Sequence, residues 1–359
     1  MLALLSAHNA TAQPVVQQYT FTLNNAPLFG GNPKTNQTMD QASCQAILAN
    51  IQSTMPSSYT ITTTGMPNTL SWYDPDTKIG VTDTCLKDPR GLHRTHVASN
   101  QIIGTPSPVA LPTSPMVIVA DGQSYFGNRI DELMIAAPGV IGYPYLYPDQ
   151  PSTGGTLQYQ DPDPMTDGQG GNVLTRLATE LVTSGKATGV VAGSVALGGS
   201  SIVQHLPGTP QYIKAEAYLR ALGHGLGLIP TYILWDEGQT ATFAGISTAT
   251  WVADFEAIVD GYNEDMGLTS TKWVVAQESL GYGRPATYGA FNAADIISDV
   301  ESALNIRAAQ AAVVGYNSGQ VLTGPDMDAL IKERFTLDGV HPDGVGASLR
   351  AAAWLPTLN

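Results

Sequence analysis

Apolar and polar positions follow two different rhythms along the chain, and the change comes near residue 110. Over the first hundred residues they alternate, in "QYTFTLNN" (18–25), "SYTITTTG" (58–65) and "TLSWYDPDTKIGVTDT" (69–84). A period of two, rich in Thr and Tyr, predicts half-buried antiparallel strands. Between the first two runs, "MDQASCQAILANIQSTM" (39–55) has the spacing of one amphipathic helix, with Asp40 as its N-cap. These elements make a small α+β unit over 1–110. It ends in "IIGTPSPVALPTSP" (102–115), whose four prolines mark a stiff connection.

Beyond Pro115 the runs are short and wholly apolar. They are "MVIVA" (116–120), "TGVVAGSVAL" (188–197), "LGLIPTYILW" (226–235), "KWVVAQ" (272–277) and "AAVVGYN" (311–317). Helix-like stretches lie between and after them, at about 172–185, 211–224, 248–263, 292–308 and 344–354. Strands apolar on both faces and alternating with helices predict a parallel sheet covered on both sides. Five such units over 111–359 make a doubly wound α/β domain, whose ligands sit beyond the carboxyl ends of the strands. The stretch 138–171 is rich in Pro, Gly and Tyr and reads as a long functional loop, placed to wall a site with tyrosines.

Charge narrows the range of partners. Charged residues make up 13% of the chain, the formal net charge is −14 and the pI is near 4.6. Such a surface repels phosphate backbones and anionic lipid, which argues against nucleic acid and is compatible with neutral sugars. No apolar stretch approaches the ~20 residues of a membrane span. The start, "MLALLSAHNATAQP", resembles the end of a clipped secretory signal but lacks a basic segment, and an ordinary chain terminus reads equally well. Cys44 and Cys85 are the two cysteines. In an exported protein they would pair and close a loop of about forty residues, worth about 3–4 kcal/mol. In a cytosolic protein they would be separate buried thiols. The disulfide is the expectation.

Four pieces can carry chemistry. Ser124, in "MVIVADGQSYFGNR", follows the first apolar run, where a strand-to-helix turn would expose it; Gly122 permits the tight backbone there. It is either a nucleophile or the cap of the helix that follows. In "TLDGVHPDGVGASLRAA", Asp338 and His341 stand three apart, ahead of the last helix. A hydroxyl nucleophile needs an imidazole to take its proton and a carboxylate to fix the imidazole's tautomer. A D-x-x-H turn supplies both, although a plain surface turn has the same form. Gly198 and Gly199 follow the second run and can aim backbone N–H groups at a substrate oxygen. Glu237, Gly238 and Gln239 follow the third run.

Taken in order, these pieces resemble the blocks of the SGNH (GDSL-type) hydrolases, in the branch that holds sialate O-acetylesterase and acetyl xylan esterases. The G-Q-S-N block is matched by Gly122-Gln123-Ser124-Tyr125, and the G-G-S/T-x-I block by Gly198-Gly199-Ser200-Ser201-Ile202. W-x-Q-G-E-x-x-A is matched in outline from Trp235 to Thr242, and D-x-x-H-P from Asp338 to Pro342. The resemblance covers residues 115–359; residues 1–110 resemble no family. It implies a three-layer α/β/α domain with a five-stranded parallel, flavodoxin-like sheet. It implies Ser124 as nucleophile, His341 as general base and then acid, and Asp338 as its orienting carboxylate. The oxyanion hole would be the backbone N–H groups of Ser124 and Gly199 with a side-chain amide from the third block, each donor worth about 3–4 kcal/mol of barrier. The substrate would be an acetylated carbohydrate, with no cofactor and no metal, and the setting secreted or extracellular, including a virion or cell-surface assembly.

Two positions depart from the pattern. Tyr125 stands where the family carries Asn. The family's Q-G-E reads Glu237-Gly238-Gln239, with acid and amide exchanged. An ionised carboxylate facing a developing oxyanion raises the barrier, so Gln239 or a protonated Glu237 is expected to fill that role. Other signals carry less. His93 and His96 read as loop histidines, His205 as a pocket residue and His224 as a helix C-terminal residue. Asp161 and Asp163 read as part of a solvated loop rather than a glycosidase pair. The competing functions are a lipase or thioesterase of the same superfamily, and a non-catalytic carbohydrate-binding or structural module of an extracellular or virion assembly.

Overall fold

The computed structural model describes residues 15–23, 42, 45, 48–49, 52–53, 55–62, 68–74, 79–88, 91–102, 108–130, 132–143, 156–168, 170–279, 293–330 and 341–359. The alternating runs of the first hundred residues form β1 (Val15–Leu23), β2 (Thr60–Ile61), β3 (Thr69–Asp74), β4 (Ile79–Asp88) and β5 (Gly91–Ile102). They pair antiparallel in the order β1-β5-β4-β3-β2. Leu70, Trp72, Val81 and Cys85 turn one face of this sheet inward, against Leu48 and Tyr59. Ala42, Gln45, Leu48, Ala49, Gln52 and Ser53 are helical, as the spacing of 39–55 predicts.

The apolar runs beyond residue 115 build a second sheet. Its strands are β6 (Met116–Gly122), β7 (Val140–Gly142), β8 (Leu157–Gln158), β9 (Val190–Ser194), β10 (Tyr232–Asp236), β11 (Lys272–Gln277) and β12 (Val321–Asp326). Their order is β12-β11-β10-β6-β9-β7-β8, and every pair is parallel except β7 with β8. Among the described residues the sheet therefore has seven strands rather than the expected five. The extra two come from the stretch 138–171, which contributes β7 and β8 as well as loop. The fifth long strand also lies later than expected. "AAVVGYN" ends a helix, with Ala309 and Val313 in the core, and the chain then reverses through left-handed Gly315, Asn317 and Ser318 into Val321–Asp326. The run 226–235 holds a strand only at its end, because a helix extends to Leu226 and closes on left-handed Gly227.

Helices cover both faces. On one face, α1 (Val173–Thr183) and α5 (Gly344–Trp354) press Leu174, Leu177, Leu181, Ala351 and Trp354 onto Ile118, Ala120 and Leu234. On the other, α2 (Pro210–Leu226), α3 (Thr248–Met266) and α4 (Ala293–Ala312) bury Leu222, Trp251, Phe255 and Ile306 against Val119, Trp235 and Trp273. Side-chain caps start four of these helices: Asn172 accepts from Leu174 N, Thr209 from Tyr212 N, Ser247 from Thr250 N and Asp343 from Gly346 N. Each is worth about 1 kcal/mol. β7 and β9 are laid down on one side of β6 and β10 to β12 on the other. The strand order therefore switches between β6 and β10, and the crevice of a doubly wound sheet opens where Ser124 and Glu237 leave their strands.

The N-terminal sheet packs on the start of α5. Val345 joins the Trp72 cluster, and Tyr59 donates to Ser348 Oγ at 3.1 Å. Beneath this contact Arg176 of α1 stands between two buried acids, 3.8 Å from Asp74 of β3 and 3.7 Å from Glu132. Removing the cation takes its charge away from two buried carboxylates, which costs about 3–5 kcal/mol. Arg176→Met is therefore expected to lower unfolding free energy by about that amount in urea titration at pH 7. A loss below about 1 kcal/mol would show that the two acids are relieved in some other way.

Candidate active site

β6 delivers the candidate nucleophile by way of a very close approach to β10. Gly122 holds φ +107°, and a Cβ there would lie 2.5 Å from the carbonyl oxygen of Asp236. Only glycine fits both constraints. The next residue, Gln123, donates its N–H to that same carbonyl at 2.8 Å. The backbone then turns, with Phe126 N donating to Gln123 O and Gly127 N to Ser124 O. No helix begins at residues 123–130, and among the described residues the first after β6 is α1, at Val173, so Ser124 is not a helix cap.

Ser124 is 6% exposed, and its Oγ stands 2.6 Å from Nε2 of His341. The two are 217 residues apart in sequence, and the sheet brings them to one rim. Pro342 follows His341, and Asp343 then caps α5, so the imidazole is carried directly on the entry to a packed helix. Residues 331–340, including Asp338, lie outside the described residues.

The loop after β9 runs alongside. Val195 N donates to Ala120 O and Leu197 N to Gly122 O, extending the β6–β9 pairing past the ends of the strands. Gly198 N is taken by Asp167 Oδ1 at 2.8 Å. Gly199 then adopts φ +70° with open space where a Cβ would project. Among the described residues no acceptor takes the backbone N–H of Ser124 or of Gly199. Two unspent donors beside a hydroxyl that faces an imidazole are of the kind that can hold a developing oxyanion.

The third block is held by Gln123, a residue that sequence reasoning used only as part of a motif. Its Oε1 accepts from the N–H groups of Gly238 (3.3 Å) and Gln239 (3.2 Å). Its Nε2 donates to Ser200 O and, at 2.5 Å, to Thr240 Oγ1. The side chains of the block have other partners. Trp251 Nε1 donates to Glu237 Oε2 at 2.7 Å, and Gln239 Nε2 donates to Glu278 Oε1 at 3.3 Å. Burial pushes the Glu237 carboxyl up to about 7, against the pull of the Trp251 and His205 groups beside it.

Behind the Ser124 turn, Arg350 of α5 lays its guanidinium over the Tyr125 ring, 3.5 Å from the centroid. It donates to Asp236 Oδ2 at 2.9 Å and Glu278 Oε2 at 3.1 Å. Tyr125 thus supports the turn through a cation–π contact made in a desolvated setting. Burial, and then the Glu278 charge, hold its phenol well above the ordinary range. Sequence reasoning missed Arg350, because no spacing within α5 distinguishes it from a surface arginine.

Several expectations need correction. Asp161 and Asp163 are buried, not solvated. Asp161 accepts from Met134 N and Thr175 Oγ1; Asp163 accepts from Met165 N, Ser194 N and the Tyr159 hydroxyl. They organise loop backbone. Tyr143 and Tyr159 of the long loop are core residues rather than a site wall, while Tyr145 and Tyr147 lie outside the described residues. His93 and His96 fall on β5, not in a loop. His224 does occupy the last turn of α2. His205 lies buried beneath the Gly198–Ser200 loop. Cys85 is disulfide-bonded, and Cys44 lies outside the described residues. Among the described residues no group of three His, Cys, Asp or Glu is placed to hold a metal ion, and no helix is long and apolar enough to cross a membrane.

No family model matches the chain, and no curated protein matches it. Among solved structures it is similar to a protein from Arabidopsis thaliana, at 15% identity and TM-score 0.46, over 68% of this chain and all of that one. It is also similar to an acetylxylan esterase from Geobacillus stearothermophilus, at 12% identity and TM-score 0.42, over 70% of this chain and 97% of that one. A third is a carbohydrate acetylesterase from Xanthomonas citri, at 14% identity and TM-score 0.41, over 77% of this chain and 59% of that one.

The raised Glu237 pKa fixes the sign of a pH effect. From its ordinary 4.5 to about 7, the unfolded chain releases a proton that the folded chain keeps. Stability therefore falls as pH rises through that window. Glu237→Gln removes this loss, so relative to wild type the variant should gain about 3 kcal/mol between pH 4 and pH 8 in urea unfolding. An equal difference at both pH values would contradict the assignment.

Proposed function

We propose that this chain is a serine esterase of the SGNH type that removes O-acetyl groups from a polysaccharide or glycoconjugate. The observation that carries the reading is the 2.6 Å contact between Ser124 Oγ and His341 Nε2 at the carboxyl end of a parallel sheet. Beside it lie the unspent N–H groups of Ser124 and Gly199. The motif order adds the acetyl-carbohydrate branch, Asp338 as the carboxylate that orients His341, and the division into units 1–110 and 111–359.

In this reading Ser124 Oγ attacks the acetyl carbonyl carbon while His341 Nε2 takes its proton. The carbonyl π electrons move to oxygen, and the oxyanion is held by the N–H groups of Ser124 and Gly199. As the tetrahedral intermediate collapses, His341 returns the proton to the departing sugar oxygen, leaving acetyl-Ser124. Water then attacks that ester with His341 as base, giving acetate and the free serine. No cofactor or metal enters the cycle. With Glu237 and Gln239 engaged by Trp251 and Glu278, the two backbone donors supply the core of the hole.

Substrate class and setting follow from the same features. A net charge of −14 disfavours nucleic acid and anionic membranes as partners. A disulfide at Cys85 fits an oxidising, extracellular compartment.

Hydrolysis of p-nitrophenyl acetate, butyrate and octanoate by wild type and Ser124→Ala tests the reading. Acetate is expected to give the highest kcat/KM, and Ser124→Ala to lower it by about 10⁴-fold or more. Preference for octanoate would point to a lipase. Turnover that does not depend on Ser124 would leave a non-catalytic binding module.

A further inference from the structure

Beneath the oxyanion loop lies a second serine–histidine–aspartate arrangement that the proposed reaction does not use. Ser200 Oγ stands 2.8 Å from His205 Nε2, and His205 Nδ1 stands 3.2 Å from Asp121 Oδ1. Tyr262 donates its hydroxyl to Asp121 Oδ2 at 3.1 Å. All four residues are almost fully buried. No substrate reaches this serine, so a second nucleophile is excluded. Burial alone would raise the Asp121 carboxyl, yet the His205 ring and the bonded Gly122 and Tyr262 groups hold it below the ordinary range.

Where these residues stand in the chain gives them a purpose. Ser200 directly follows Gly199, and Asp121 lies three residues before Ser124. Asp121 Oδ1 also takes the N–H of Gly122 at 2.7 Å, so the carboxylate grips the strained turn that presents the nucleophile. Ser200 Oγ donates its single proton within reach of Leu197 O (2.8 Å) and Gly122 O (3.3 Å). Its backbone carbonyl accepts from Gln123. The peptide of Gly199 is thus clamped from both sides, by Gly198 on Asp167 and by Ser200 on His205. Gly199 has no side chain and sits at φ +70°, and its own hold is a long bond from Thr240 Oγ1 to its carbonyl at 3.3 Å, so its orientation depends on its neighbours.

We propose that Ser200, His205 and Asp121 are positioning residues that lock the backbone donor of Gly199 to the turn carrying Ser124. The inference rests on the serine esterase reading and deepens it. A buried charged pair is weak support for stability, and apolar replacements of such pairs are often tolerated. What the relay supplies is alignment of donors that must act in the transition state and not in the bound ground state.

The test uses the full chain with two readouts: steady-state hydrolysis of p-nitrophenyl acetate, and the rate of labelling of Ser124 by a fluorophosphonate, read by intact mass. Wild type, Ser124→Ala, His205→Leu and Ser200→Ala are compared well below their melting temperatures. Both relay variants are expected to lose tenfold or more in kcat with KM within threefold, and labelling should slow in parallel. A smaller loss in kcat, or a change confined to KM, would overturn the proposal. Ser200→Ala removes one hydroxyl only and decides the matter should His205→Leu not fold. If wild-type Ser124 is neither acylated nor labelled, the esterase reading falls and the relay's role falls with it. Labelling that Ser124→Ala abolishes but the relay variants leave unchanged would overturn the relay alone.

Discussion

The buried amide of Gln123 joins three loops that would otherwise leave the sheet independently. It has two donors and two acceptor sites, and it spends them on the N–H groups of Gly238 and Gln239, the carbonyl of Ser200 and the hydroxyl of Thr240. Each such group left unpaired in the interior would cost about 1–3 kcal/mol. The ends of β6, β9 and β10 are therefore bound into one rim, and Ser124 is the next residue along. Gly122 makes this arrangement possible by letting β6 pass against the carbonyl of Asp236 with no side chain between.

Support for that rim comes from the opposite side of the sheet. Arg350, two turns into α5, stacks on Tyr125 and pairs with Asp236 and Glu278 at the ends of β10 and β11. The same helix begins directly after His341 and Pro342 and carries Val345 and Ser348 into contact with the N-terminal sheet. One helix thus holds the imidazole, the back of the Ser124 turn and the packing of the first unit. The N-terminal sheet is accordingly part of what fixes His341, through Trp72 against Val345 and Asp74 against Arg176.

Much of this was legible in the sequence where local pattern and burial agree. β6, β9, β10 and β11 are apolar on both faces, and their runs announce them. β12, "VLTGPD", does not, because as an edge strand it tolerates Gly324 and Pro325 and needs only one neighbour. The neighbouring "AAVV" looked more like a strand, yet its alanines close α4 on the exposed side and only Val313 reaches the core. β7 has three residues and is defined by its pairing with β9, which no local period can show. Within the site, the Ser124 and His341 motifs carried their own spacing. The supporting groups did not: Asp121, His205, Asp161 and Arg350 are polar residues whose burial follows from tertiary partners far away in sequence. The acid–amide exchange at Glu237 and Gln239 is absorbed in the same way, by an indole and a carboxylate that the motif does not contain.

The central claim is that Ser124 attacks while its own N–H and that of Gly199 receive the charge. A crystal structure of the chain after reaction with a small alkyl phosphonate tests this most directly. The account predicts a phosphorus–oxygen bond at Ser124 Oγ, with the phosphoryl oxygen about 2.7–3.1 Å from both backbone nitrogens. Modification at another residue, or a phosphoryl oxygen turned away from Gly199, would contradict it.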